Sequence, residues 1–171
     1  MEITFRKIEP DDKLTGLSLG DPKFTPLKIF LQKHAKQYQT AFLATTYCAF
    51  NESNKVCAYV TILCGEVIAE GNQIIESAIG YRYSTYPAVK IARLAVDLSC
   101  RDKKVGRQLV ELTLGLASEY ICPHVGCRFV MVDSKRESIK FYEKCGFTIL
   151  DTPANHSRAS PVMFVDLAKT L

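Results

Sequence analysis

The segment that most constrains the fold lies in the second half of the chain, where an apolar run leads through a basic turn into a helical pattern. VKIARLAVD (89–97) has almost no turn signal and predicts a buried strand. A polar, basic turn follows over 99–108, and apolar residues at helical spacing predict an amphipathic helix over 106–120. The expected apolar face of this helix consists of Leu109, Leu112, Leu116 and Tyr120.

Strands and helices are also expected on both sides of this segment. The other expected strands are 2–8, 41–50, 55–65, 128–133, 147–150 and 161–167, and the other expected helices are 26–38 and 135–145. A turn at 51–54 makes 41–50 and 55–65 an antiparallel hairpin. Loops are expected at 151–160 and at 66–87, where Gly71, Gly80, Tyr81, Tyr83 and Tyr86 suggest a loop on the substrate side. This order predicts an α/β (α+β) fold, a mixed central sheet of six to seven strands flanked by helices on both faces.

Length and composition favour one globular domain. The 171 residues suit a single domain over 1–171, and 47% hydrophobic with 23% charged residues exclude a disordered chain. No apolar run approaches the ~20 residues of a membrane span, so no membrane association is expected. The start MEITFRKIEPDD lacks a signal-peptide core, which favours a cytoplasmic protein.

The seven cysteines indicate reduced thiols, because their number is odd and no CxxC pair occurs. Cys122, His124 and Cys127 lie close together in the sequence, but no second Cys/His cluster completes a set of about four metal ligands. We therefore expect no metal. The formal net charge of +4 suits an anionic ligand without identifying one.

The basic turn at the start of helix 106–120 has the properties of an anion site. The first N–H groups of a helix have no intrahelical partners and carry partial positive charge, so a pyrophosphate fits there. Arg101, Lys103, Lys104 and Arg107 add positive charge, and Gly106 allows close approach of the backbone. The alternative is an ordinary solvated basic loop.

Two motifs in this half of the chain resemble the GNAT superfamily of N-acetyltransferases. The sequence RDKKVG (101–106) is similar to the superfamily's acetyl-CoA loop, R/Q-x-x-G-x-G/A, with Gly106 at the last glycine and Lys104 in place of the first. A later helix resembles the superfamily pattern N-x-x-A/S-x-x-F-Y-E-x-x-G-F, with Lys135 in place of the asparagine. The matching residues are Ser138, Phe141, Tyr142, Glu143, Gly146 and Phe147. The resemblance is strong over 89–150.

The resemblance implies direct attack of an amine on the thioester of acetyl-CoA, with no metal. In that fold the strands at 91–97 and 128–133 splay apart and hold the pantetheine arm, and the amide of Ala95 or Val96 polarises the thioester carbonyl. Tyr142 would protonate the departing thiolate. The implied acetyl-CoA-binding residues are Leu94, Ala95, Val96, Arg101, Asp102, Lys103, Lys104, Val105, Gly106, Arg107 and Ser138.

The sequence offers few general bases for the acceptor amine. A lysine amine with a pKa of ~10.4 is only about 0.1% neutral at pH 7.4, whereas an α-amine with a pKa of ~7.7–8.0 is substantially neutral without help. Glu66 and Glu70 follow the hairpin and could act through water, although a solvated carboxylate is the simpler interpretation of Glu66. This shortage of bases favours an α-amine or another amine of low pKa.

The N-terminal half is similar to one branch of the superfamily, the acetyltransferase toxins of bacterial type II toxin–antitoxin pairs. The similarity lies in FLQKHAKQYQTAFLATTYCAF (30–50) and in the RLAVD strand. It implies acetylation of aminoacyl-tRNA, a block of translation, a ribbon-helix-helix antitoxin and a homodimer, with Arg93 and surface lysines contacting the tRNA. Two alternatives remain: an acetyltransferase for a small amine, peptide or protein N-terminus, and a non-catalytic acetyl-CoA-binding module.

Overall fold

A computed structural model describes residues 1–69 and 81–170. Its strands are β1 (Ile3–Lys7), β2 (Thr45–Asn51), β3 (Val56–Ile68), β4 (Thr85–Val96), β5 (Phe129–Asp133), β6 (Thr148–Ile149) and β7 (Val162–Asp166). Its α-helices are α1 (Thr25–Ile29), α2 (Ala35–Thr40), α3 (Val105–Leu116), α4 (Ile139–Lys144) and α5 (Pro153–His156). The strands form one sheet in the order β1-β2-β3-β4-β5-β7-β6, which confirms the predicted mixed sheet flanked by helices. None of the described helices has the length and apolar character needed to cross a bilayer.

The chain packs as two compact units, and the first comprises Met1–Leu63 and Ile91–Thr113. Its strands β1, β2 and β3 are antiparallel, with Phe5 opposite Ala49 and Cys48 opposite Tyr59. A single π-helical turn at Phe30–His34 joins α1 to α2, so the helix predicted over 26–38 is present with one irregular turn. The buried core of this unit includes Ile8, Leu14, Leu17, Leu19, Phe30, Leu31, Ala35, Cys48, Phe50, Val56, Tyr59 and Ala95.

The predicted start of the hairpin at residue 41 is wrong, because residues 41–43 complete the turn that ends α2. The amide of Phe42 donates to the Gln39 carbonyl at 3.2 Å, and that of Leu43 donates to the Tyr38 carbonyl at 2.9 Å. Phe42 has a positive φ of 57° and is 96% exposed. Its apolar character therefore reflects neither a strand nor a core position, and β2 begins at Thr45.

The second unit comprises Cys64–Lys90 and Leu114–Leu171. Strand β7 pairs with β5 and β6 in antiparallel fashion, with Met131 opposite Phe164 and Asp133 opposite Val162. Its buried core contains Val67, Ala69, Tyr86, Ala88, Phe129, Met131, Leu150 and Val162.

Part of the loop predicted at 66–87 is regular structure, since β3 continues to Ile68 and β4 begins at Thr85. Tyr86 is buried in β4 and stacks on Tyr81, with ring centroids 4.7 Å apart, while Tyr83 is 72% exposed. Tyr81 also packs edge-on against Tyr83, with ring centroids 5.6 Å apart, so the three tyrosines form one aromatic cluster. The residues Glu70, Gly71 and Gly80 lie outside the described residues.

Helix α3 follows the predicted position with a different buried face. Its buried stripe runs through Leu109, Val110 and Thr113 to Ala117, whereas Tyr120 is 67% exposed. The predicted face is correct at Leu109 and wrong at Tyr120, because the buried stripe continues through Thr113 and Ala117 instead.

The loop predicted at 151–160 contains the short helix α5. Thr152 caps the N-terminus of this helix by accepting a hydrogen bond from the Asn155 amide at 3.1 Å, and Pro153 occupies its first turn.

Candidate functional site

Asp97, at the end of β4, fixes the corner where the sheet leads toward α3. Its carboxylate accepts hydrogen bonds from the Ser99 amide (3.0 Å), the Ser99 hydroxyl (2.6 Å) and the Ser18 amide (2.7 Å). Burial alone would raise the pKa of Asp97, but these hydrogen bonds outweigh burial and lower it. The ionised carboxylate therefore starts the 3₁₀ turn Leu98–Lys103 and ties it to the segment before α1.

Lys104 makes the turn between this 3₁₀ segment and α3 in a left-handed conformation. Its φ is 58° and its ψ is 15°, a conformation in which glycine is the usual residue. Lys104 thus occupies the position of the first glycine in the predicted acetyl-CoA loop and adopts the backbone conformation that a glycine would allow. Val105 and Gly106 follow directly and are buried as the first residues of α3.

Several basic side chains of the loop already form contacts within the protein. The Arg101 guanidinium donates to the Leu19 carbonyl at 2.8 Å, and the Arg107 guanidinium pairs with Glu111 at 2.9 Å. Lys103 lies 3.5 Å from the sulfur of Met1. The N–H groups at the start of α3 are therefore the better candidates for anion binding, with these cations contributing to the local charge.

Strand β4 brings the remaining predicted residues of the first unit to the same corner. Ala95 is buried in the core of the first unit, and its neighbours Leu94 and Val96 are half-buried. The guanidinium of Arg93 lies 3.7 Å from the centre of the Phe30 ring in a cation–π contact. Arg93, predicted to contact tRNA, thus already has a partner within the protein.

Tyr142 lies on α4 in the second unit and is 6% exposed. Its ring packs edge-on against Phe141 and Phe147, with centroids 5.1 and 5.3 Å away. Burial raises the pKa of Tyr142 above its usual value of 10.0, so the phenol keeps its proton at neutral pH.

The predicted residues around Tyr142 have local structural roles. The Ser138 amide donates to the Lys135 carbonyl at 2.9 Å in the turn that precedes α4. Gly146 ends the helix with a positive φ of 93°, as its position in the motif predicts.

The second unit also contains an open cavity of about 420 Å³. Glu66, the predicted substrate residue, lines it from β3 and is exposed. The other lining residues are Ile68, Lys90, Met131, Asp133, Leu150, Thr152, Ala154, Asn155, Arg158 and Val162.

Three of the cysteines are unsuited to nucleophilic chemistry. Burial raises the pKa of the Cys48 thiol to about 12. Burial likewise raises the pKa of Cys57 and of Cys127 to about 11. These thiols stay protonated at neutral pH, and a thiol is a poor nucleophile in that form.

Sequence reasoning missed two residues that shape these regions. Asp97 holds the corner before α3, and Asn155 holds the loop that lines the cavity. The Asp-x-Ser sequence at 97–99 is a local capping signal that could have identified Asp97. Thr152 followed by Pro153 is a helix-start signal that could have identified α5. The long-range contacts of Asn155 have no corresponding signal in the local sequence.

The chain belongs to the acetyltransferase (GNAT) domain family, whose pattern matches residues 45–149. The match includes β4, the corner at Lys104 and Tyr142. A curated relative is glucosamine 6-phosphate N-acetyltransferase of Arabidopsis thaliana, 27% identical over 100 residues. That alignment covers 58% of this chain and 62% of the relative's length.

Solved structures of bacterial toxins share the whole fold. AtaT complexed with acetyl-methionyl-tRNAfMet superposes with a TM-score of 0.82 at 18% identity, covering 99% of this chain and 97% of AtaT. A mutant AtaT toxin bound to acetyl-CoA and the C-terminus of the antitoxin AtaR gives 0.75 at 18% identity, covering 98% and 94%. A tyrosine-to-phenylalanine mutant of KacT gives 0.75 at 18% identity, covering 99% and 97%.

Proposed function

We propose that this chain is an acetyl-CoA-dependent N-acetyltransferase that acetylates the α-amine of aminoacyl-tRNA and thereby blocks translation. The observation that best supports acetyl transfer is the corner from Asp97 to Gly106. There Lys104, in a left-handed conformation, connects the 3₁₀ turn to α3 at the position of the family's acetyl-CoA loop. The tRNA acceptor is supported by the likeness in fold to AtaT, whose structure contains acetyl-methionyl-tRNAfMet.

In the first unit, we assign acetyl-CoA binding to β4 and the start of α3. The N–H groups around Val105, Gly106 and Arg107 suit the diphosphate, because they combine unpaired donors with the positive end of the helix dipole. The backbone of Leu94, Ala95 and Val96 would pair with the pantetheine arm in the manner of an added strand. Acetyl-CoA supplies the thioester as the acyl donor.

In the second unit, we assign Tyr142 the role of general acid. The neutral amine nitrogen forms a bond to the thioester carbonyl carbon, and the carbon–sulfur bond then breaks. The sulfur takes a proton from the Tyr142 hydroxyl, and the proton released by the acylated amine restores the phenol through solvent. Burial favours the neutral phenol, so the proton is present at the pH of the reaction.

The partners follow the same likeness. We propose a ribbon-helix-helix antitoxin, supported by the AtaT structure that includes the antitoxin AtaR, and a homodimer located in the cytoplasm. Arg93 and exposed lysines would contribute to tRNA binding through phosphates. The contact with Phe30 uses the face of the Arg93 guanidinium, whereas an arginine binds phosphate through its N–H edge.

The role of Tyr142 can be tested with Tyr142→Phe, which removes the proton and keeps the ring packing. We expect turnover to fall by about 10²–10⁴-fold, the usual contribution of a general acid, with the Kd for acetyl-CoA unchanged. Tyr120→Phe is the matched control, because Tyr120 is exposed at the end of the helix that follows the loop. Equal turnover in wild type and Tyr142→Phe would remove the acid assignment.

The acceptor can be identified by incubating the protein with labelled acetyl-CoA and separate candidate amines. The set includes charged tRNA, deacylated tRNA, polyamines, peptides and glucosamine 6-phosphate. Label on charged tRNA alone supports the proposal. Label on glucosamine 6-phosphate or another small amine supports the second candidate function, which the Arabidopsis thaliana relative favours. Binding of acetyl-CoA without transfer to any amine would instead support a binding module.

A further inference from the structure

We infer that the cavity of the second unit receives the aminoacyl group of the acceptor, with an apolar side chain against its floor and the α-amine at Glu66, whose carboxylate holds the ammonium form until its proton passes to solvent. This inference rests on the proposed function. It adds a preference among amino acids, which neither the family nor the fold specifies.

The floor of the cavity belongs to one face of the sheet. In antiparallel pairs, opposed residues point to the same side, and alternate residues along a strand share a face. Asp133 is opposed to Val162, and Met131 lies two residues before Asp133. Leu150 joins them where its amide donates to the Val162 carbonyl at 3.0 Å. Met131, Leu150 and Val162 are all buried, so they offer an apolar surface of fixed shape.

The wall of the cavity is also built before any ligand arrives. The side-chain amide of Asn155, itself 3% exposed, donates to the Leu150 carbonyl (2.8 Å) and the Val162 carbonyl (3.0 Å). Its oxygen accepts from the Val162 amide at 2.8 Å. Arg136 donates to the carbonyls of His156 and Arg158, both at 2.6 Å, and so holds the end of the same loop. Ligand pockets in proteins are usually preformed in this way.

The ion pairs among the residues that line the cavity centre on Asp133 and do not include Glu66. Asp133 lies 2.6 Å from the Lys90 ammonium and 3.5 Å from the Arg158 guanidinium, so its charge is already compensated. Glu66, in contrast, forms no ion pair with another residue of the described ranges. A carboxylate without a cation at the edge of an apolar cavity favours a ligand that brings an ammonium next to an apolar group.

This chemistry selects among aminoacyl groups. Every aminoacyl-tRNA carries the α-amine, but the buried floor of Met131, Leu150 and Val162 favours an apolar side chain. The charged lining residues Lys90, Asp133 and Arg158 are already paired with one another. A volume of about 420 Å³ accommodates side chains as large as methionine, leucine or phenylalanine. We therefore expect tRNA charged with these amino acids to be acetylated at least about tenfold more efficiently than tRNA charged with aspartate, lysine or glycine, because each buried methylene contributes a factor of about ten or more.

The test measures kcat/KM with labelled acetyl-CoA for tRNA charged separately with each of these six amino acids. Ala154→Leu fills the cavity from α5 and should reduce kcat/KM for the large side chains by about tenfold or more relative to glycine. Ala159→Leu is the matched control, since this exposed alanine lies in the same loop and does not line the cavity. Glu66→Gln should raise KM for charged tRNA, whereas Glu119→Gln, which is exposed elsewhere on the second unit, should not.

The possible outcomes separate the two proposals. Acetylation of all six charged tRNAs with equal efficiency, or equal effects of Ala154→Leu and Ala159→Leu on the ratio, overturns the cavity assignment and leaves the proposed function standing. No acetylation of any charged tRNA by the wild-type protein overturns the proposed function and the cavity assignment with it. Urea unfolding of each variant verifies that a lower rate does not come from loss of the folded state.

Discussion

Replacing Lys104 by glycine should stabilise the protein, although lysine is the natural residue. Lys104 adopts φ 58° and ψ 15°, where the Cβ atom of an L-residue lies close to its own backbone carbonyl. That conformation costs about 1–2 kcal/mol for a residue other than glycine. Glycine avoids this cost but loses about 0.5–1 kcal/mol through the greater freedom of the unfolded chain. Taken near their midpoints, the two values predict that Lys104→Gly raises the free energy of unfolding by about 0.5–1 kcal/mol.

The contribution of the Lys104 side chain itself must be separated from that of its backbone. The side chain is exposed, so its removal changes little buried surface. Lys104→Ala removes the same charge and the same methylene groups while keeping the Cβ atom that causes the strain. We expect Lys104→Ala to remain within about 0.5 kcal/mol of the wild type, as is usual for a surface substitution.

Urea denaturation of the three proteins provides the measurement. With a denaturant slope of about 2 kcal/mol/M, the midpoint of Lys104→Gly should rise by about 0.25–0.5 M without a change in slope. For a chain of this size, the melting temperature should rise by about 1–4 °C. Equal midpoints for Lys104→Gly and Lys104→Ala would refute the argument, because the two variants differ only at the strained Cβ position.

The same pair of variants separates charge from geometry in acetyl-CoA binding. If Lys104 contributes its charge to the diphosphate, calorimetric titration should show the same loss of affinity in both variants. If the left-handed backbone conformation determines affinity, Lys104→Gly should bind at least as tightly as Lys104→Ala. Weaker binding by Lys104→Gly than by Lys104→Ala would contradict the assignment of the family's glycine position to Lys104.

Two further predictions concern residues that hold the site regions in place. Asp97→Ala should reduce the free energy of unfolding by about 2–4 kcal/mol at pH 7, because it removes a cap and leaves the Ser18 amide without its acceptor. Since the pKa of Asp97 is lower in the folded protein, this stabilisation is present above the unfolded pKa of about 3.9 and is lost as the pH falls through the folded pKa. Unfolding experiments between pH 7 and pH 3 should show that difference from wild type shrink, and a constant difference would contradict the ionised role. Asn155→Ala should cost about 2–4 kcal/mol in urea unfolding, because it leaves the Val162 amide without its acceptor and removes one donor each from the Leu150 and Val162 carbonyls. A loss below about 0.5 kcal/mol would show that the loop does not depend on Asn155.

The elements predicted most accurately from sequence are those whose determinants are local. The strand at 89–97, the basic turn and the following helix could be predicted because apolar runs, charge clusters and glycine positions act over a few residues. Gly146 has the left-handed conformation that its place after a helix predicts. The basic turn around Lys104 has a local signal of the same kind, whereas nothing in a lysine side chain predicts the left-handed conformation of Lys104 itself.

The buried face of α3 shows where local reasoning fails. Its apolar residues cover an arc wider than the buried stripe, so periodicity alone supports more than one face. The actual stripe includes Thr113, a residue that sequence patterns place at the surface. Burial of Thr113 is possible because its hydroxyl donates to the Leu109 carbonyl at 3.0 Å, within the helix itself. Packing against the rest of the chain decides between faces that the sequence leaves equivalent.

The contacts that would determine substrate preference lie beyond local reasoning altogether. Asp133 is compensated by Lys90, 43 residues earlier, and by Arg158, 25 residues later. Lys90 meets Asp133 because β4 lies beside β5, and Arg158 meets it because β7 lies beside β5 and the loop before β7 folds back along the sheet. A motif therefore indicates which reaction a chain of this family performs, since it encodes a backbone conformation over a few residues. In the proposed function, the preference among acceptors would depend on Glu66, which has no ion-pair partner among the described residues, and such long-range pairing follows from strand order.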